Sequence, residues 1–84
     1  MKTIAEYDQE IMQNPNDAKL YNTRGNAYAN EENDDKAIAD FTKAMQLEPN
    51  YMCPYHNRGM AYYNIGDFDK AIADFTKAIL YCLH

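Results

Sequence analysis

Two short stretches of the chain carry side chains able to do chemistry. CPYH places Cys53 and His56 three positions apart, and CLH places Cys82 and His84 two apart. Thiolate and imidazole are ordinary ligands of tetrahedral zinc, and a Cys–His pair is also the core of a thiol nucleophile. Neither stretch has the spacing of a zinc finger, and His84, the last residue, is expected to be frayed. No orienting third group or oxyanion donor accompanies either pair, so neither a metal site nor catalysis is expected. The run EENDD (Glu31–Asp35) concentrates carboxylates but lacks the alternating ligands and central glycine of a calcium loop. At the start of a helix such residues serve capping and the helix dipole. The chain is therefore expected to be a non-enzyme without cofactor or metal.

The rest of the composition narrows the class. Acidic residues outnumber basic ones by 13 to 8 among 84, a net charge of −5, which argues against a phosphate-backbone binder and so against nucleic acid. The start, MKTIAEYDQEIM, lacks the apolar core of a signal peptide, and no apolar run is long enough to span a bilayer. Two cysteines are too few for a disulfide framework and are expected as reduced thiols of a cytoplasmic protein.

The elements that must position any site follow from a repeat. DKAIADFTKA occurs at 35–44 and again at 69–78, 34 positions on. The same shift carries Tyr21 onto Tyr55, Arg24-Gly25 onto Arg58-Gly59, Ala27-Tyr28 onto Ala61-Tyr62 and Pro15 onto Pro49. A fixed period without gaps is the mark of stacked units. Within each unit the pattern is helical: Tyr21, Gly25 and Tyr28 form one stripe, and Ala37, Phe41 and Ala44 another. Five helices are predicted, at about 3–13, 17–30, 34–47, 52–64 and 68–82. Gly66 is expected to close one hairpin turn in a left-handed conformation, with Asp67 or Asp69 opening the next helix. In the other turn Asn33 is the residue expected to take positive φ. Gly25 and Gly59 are expected to admit a close helix approach, facing Ala37 and Ala71.

These residues resemble the tetratricopeptide repeat, a 34-residue helix–turn–helix unit. Counted from Ala18, Tyr21, Gly25, Tyr28, Ala37, Phe41, Ala44 and Pro49 occupy its signature places; counted from Met52, Tyr55, Gly59, Tyr62, Ala71, Phe75 and Ala78 do so. Leu83 stands at the last proline position. The resemblance implies an all-α solenoid of antiparallel hairpins. Residues 1–16 would be the second helix of an incomplete unit, 17–50 the first full repeat and 51–84 the second.

It also implies a non-catalytic protein–protein interaction module, in which first helices line a concave groove for a peptide or partner helix. The groove positions would be Lys19, Asn22, Asn26, Ala29 and Asn30, then Cys53, His56, Met60, Tyr63 and Asn64, with Asn57 at the edge. Relatives that clamp a C-terminal carboxylate use lysines; Asn22 stands where the first would be, so that mode is not expected. The ending AILYCLH suggests an alternative, a structural unit that self-associates. Ile79, Leu80, Tyr81 and Leu83 form an apolar edge on a last helix, and solenoid ends normally carry a polar cap.

Overall fold

A computed structural model of the chain describes residues 2–82, and their side chains as far as Leu80. The expectation of Tyr81 and Leu83 at an apolar edge, and the weighed but unexpected ligand pair Cys82 and His84, therefore lie outside the described side chains. Five helices make up the described fold: α1 (Ile4–Gln13), α2 (Ala18–Asn30), α3 (Asp34–Leu47), α4 (Cys53–Asn64) and α5 (Phe68–Cys82). Each helix packs on its neighbours in sequence, so α2–α3 and α4–α5 are antiparallel hairpins laid side by side, with α1 against α2.

Local chemistry fixes the helix starts. Thr3 and Glu6 form a reciprocal capping box on α1, and the Asp17 carboxylate accepts from the Lys19 amide at 3.1 Å on α2. Asn33 caps α3 and Asp67 caps α5, each accepting an amide three residues on at 3.4 Å. Pro54 lies in the first turn of α4, where its missing N–H is harmless.

One turn differs from expectation. The left-handed residue of the first hairpin is Glu32, at φ 61°, not Asn33, which has φ −98°. Asn33 must keep a negative φ to aim its side chain back at the Lys36 amide. The strain thus falls on the preceding residue, equivalent by 34 positions to Gly66 at φ 85°. Glu32→Gly is accordingly expected to raise stability by about 0.5–1 kcal/mol, read as a higher urea midpoint at unchanged slope.

The core lies between hairpins. Ala37 and Phe41 are fully buried and meet Ala61 of α4, with Tyr28, Ala29 and Ile38 around them. The close approach at Gly25 is to Phe41 and not to Ala37: a Cβ there would stand 2.6 Å from the Phe41 ring. At Gly59 the corresponding distance to Phe75 is 2.8 Å. An aromatic edge lies on the bare backbone, which explains why glycine and phenylalanine recur together.

Candidate peptide-binding groove

Each hairpin is closed by an arginine–aspartate pair that recurs at the 34-residue period. Arg24 donates through Nε and Nη2 to both oxygens of Asp40, at 2.8 and 2.7 Å, and through Nη1 to Asp8 of α1 at 2.8 Å. Arg58 repeats this with Asp74, at 2.7 Å twice, and reaches back through Nη1 to the Thr42 hydroxyl at 3.1 Å. Each arginine thus ties its own hairpin and clasps the preceding helix. Both guanidinium pKa values are held above their ordinary level, chiefly by the hydrogen bonds they donate to Asp40 and Asp74. Burial opposes that effect and loses.

An open cavity of about 710 Å³ lies between α2, α4 and the C-terminal half of α5. Asn22, Asn26, Cys53, His56 and Asn57 line it, and so do Met52, Phe75, Ala78 and Ile79. Its polar groups are few and ordered. The Asn22 side chain donates to the Tyr51 hydroxyl at 3.3 Å and accepts from Asn57 at 3.0 Å. Asn22 is 7% exposed, so its amide is a brace that sets α2 against α4. Burial pushes the Tyr51 hydroxyl pKa up, which keeps it a neutral partner. Asn26 and His56 are exposed at the rim, and the His56 ring lies 5.8 Å from Phe75.

The groove positions expected from sequence are thus divided. Asn22, Asn26, Cys53, His56 and Asn57 converge on the cavity, whereas Lys19, Asn30, Met60, Tyr63 and Asn64 do not line it. Tyr63 instead rests edge-to-face on Phe68 at 5.3 Å, beside the turn of the second hairpin. Ala29 is half-buried against the core. Ile79, expected at the self-association edge, also walls the cavity.

Met52, Phe75, Ala78 and Ile79 were not legible as lining residues. Phe75 and Ala78 hold signature places that read as core. In the first repeat their counterparts Phe41 and Ala44 are indeed fully buried. No described helix follows α5, so the same face opens onto the groove.

Among the described residues no three His, Cys, Asp or Glu side chains are grouped to hold a metal ion, and Cys53 is an exposed free thiol. No described helix is long and apolar enough to cross a membrane.

Comparison with known proteins gives this geometry its family. The tetratricopeptide repeat model matches residues 18–51 and 54–82. The crystal structure of MamA superposes with a TM-score of 0.89 at 29% identity, over 93% of this chain and 46% of MamA. The second TPR of Spaghetti (RPAP3), bound to the HSP90 peptide SRMEEVD, superposes with a TM-score of 0.90 at 28% identity, over 93% of this chain and 72% of that one. The chain therefore spans less than half the length of MamA. No curated protein matches it by sequence. With matched repeats over most of its length and the arginine-clasped hairpins just described, the chain belongs to the tetratricopeptide repeat family.

Proposed function

We propose that the chain is a non-catalytic interaction module that binds an extended peptide or partner helix along its concave face. One apolar side chain of the partner sits in the cavity between α2, α4 and α5. Tetratricopeptide repeats mediate protein–protein interaction, and the RPAP3 repeat carries a bound peptide. The observation that supports the reading is the cavity: about 710 Å³, lined by Met52, Phe75, Ala78 and Ile79 together with the amides of Asn22, Asn26 and Asn57. That is the size and make-up of a recognition pocket, in which a few polar groups orient an apolar load. Asn26 and Asn57 can each give and accept hydrogen bonds with a peptide backbone.

The neighbour's peptide SRMEEVD carries three carboxylate side chains. Here no lysine or arginine lines the cavity, and Asn22 is already spent on Tyr51 and Asn57. The preferred anchor is accordingly uncharged, because a buried carboxylate without a cation loses its hydration uncompensated. Display selection on the immobilised chain tests this. Selected peptides are expected to share an apolar residue, to outcompete SRMEEVD, and to bind Asn26→Ala about five- to tenfold more weakly, measured calorimetrically. Tyr63→Ala is expected to leave them unaffected. Peptides that bound the Asn26→Ala and Asn57→Ala chains as well as wild type would remove the assignment.

A second reading, end-to-end self-assembly, is supported by a different observation. Ile72, Ile79 and Leu80 on α5 are 63%, 61% and 54% exposed. Adjacent exposed aliphatics on one helix mark an interface more often than a free surface.

A further inference from the structure

We propose that the socket for the exposed face of α5 is carried by the chain itself. It is the side of α2 now covered by α1, so copies stack head to tail with α1 acting as a displaceable plug. This rests on the self-assembly reading and specifies what covers α5.

The template is the contact already made inside the molecule. There α3 packs on α4: Phe41 and Ala37 meet Ala61, and Arg58 of α4 donates to Thr42 of α3. Shifting by 34 positions finds both halves of that contact again. The receiving half recurs on α2, where Arg24 and Ala27 correspond to Arg58 and Ala61. The inserting half recurs on α5, where Ile72, Phe75, Thr76 and Ala78 correspond to Ile38, Phe41, Thr42 and Ala44. A tail and a matching socket on opposite ends of one chain give a heterologous contact that continues from copy to copy.

What fills the socket now is a poorer copy of the tail. In α1 the same places hold Ile4, Tyr7, Asp8 and Glu10. Arg24 reaches Asp8 as Arg58 reaches Thr42. Only Ile11 of α1 is buried. Glu10 stands where α3 and α5 have buried alanines, and its Oε2 is buried without a hydrogen-bond partner. Its other oxygen binds Lys2 at the surface. An unpaired buried carboxylate oxygen weakens the docking of α1, and an α5 from another copy brings an alanine to that spot.

The test uses the 84-residue chain in sedimentation equilibrium. Wild type is expected to gain average mass with concentration. A tail-blocked chain, Ile72→Glu with Ile79→Glu, changes only exposed positions. It should keep its helical circular dichroism and stay monomeric alone, yet, fluorescently labelled, sediment with unlabelled wild type because its socket is intact. Glu10→Ala seats the plug better and is expected to weaken wild-type association by about fivefold or more. Wild type that remains a single chain throughout would overturn the self-assembly reading and the socket with it. Association from which the tail-blocked chain is excluded, as in a symmetric α5–α5 dimer, or which Glu10→Ala leaves unchanged, would overturn the socket alone.

Discussion

Replacing Phe41 by alanine is expected to destabilise the chain by about 3–5 kcal/mol, and replacing Phe75 by alanine by roughly 1–2 kcal/mol. The two residues occupy the same place in identical decapeptides, so propensity and local sequence cancel. Their surroundings do not. Phe41 is fully buried, its ring against Gly25 on one side and packed with Ala37 and Ala61 on the other. Truncation there opens a cavity that neighbouring helices cannot close. Phe75 is only half-buried, lying on Gly59 but open to the groove, so its truncation removes less contact. An 84-residue domain has a total stability of about 4–12 kcal/mol, so Phe41→Ala consumes much of it. Its thermal midpoint is expected to fall by roughly 15–30 °C, followed by circular dichroism. Equal losses at the two sites, measured at dilutions where the chain is monomeric, would contradict the open environment of Phe75.

The contrast between these two phenylalanines also marks what the sequence can convey. The helices were legible because capping residues and breakers are local: Asp17, Asn33 and Asp67 each act within three residues of their helix starts. The 34-residue period then determined which hairpins are equivalent. Finer contacts were not legible. Periodicity gives a stripe, not the member of it that leans on the facing glycine, so Ala37 was expected where Phe41 stands. The Arg24–Asp40 and Arg58–Asp74 pairs recur at a separation of 16 residues, a signal present in the sequence but meaningless until the hairpin closes. The groove was half legible for a similar reason. Positions transferred from a continuous solenoid presume a following helix. Without one among the described residues, the cavity takes Phe75 and Ala78 from places that are core in the first repeat.

Removing the carboxylate of Asp74 is expected to cost about 3–4 kcal/mol, against about 1–2 kcal/mol for Asp40, although both are almost fully buried at 3% and 5% exposure. The difference lies in what each arginine keeps. Arg58 is left with the neutral Thr42 hydroxyl at 3.1 Å, so a mostly buried cation loses its counter-charge. Arg24 keeps the Asp8 carboxylate at 2.8 Å, which continues to neutralise it. Asp74→Asn, which preserves one acceptor and the side-chain volume, is expected to recover part of the loss. Urea unfolding of Asp40→Ala, Asp74→Ala and the double variant Asp8→Ala/Asp40→Ala reads the three cases directly. With Asp8 also gone, Arg24 should become as expensive to bury as Arg58, and the double variant should approach the Asp74→Ala loss. If Asp8→Ala adds nothing to Asp40→Ala, then Arg24 is not engaged by α1 in solution. The plug would then rest on Ile11 and its apolar neighbours alone. That result would also predict easier displacement of α1, because the charged tie at its centre would be missing.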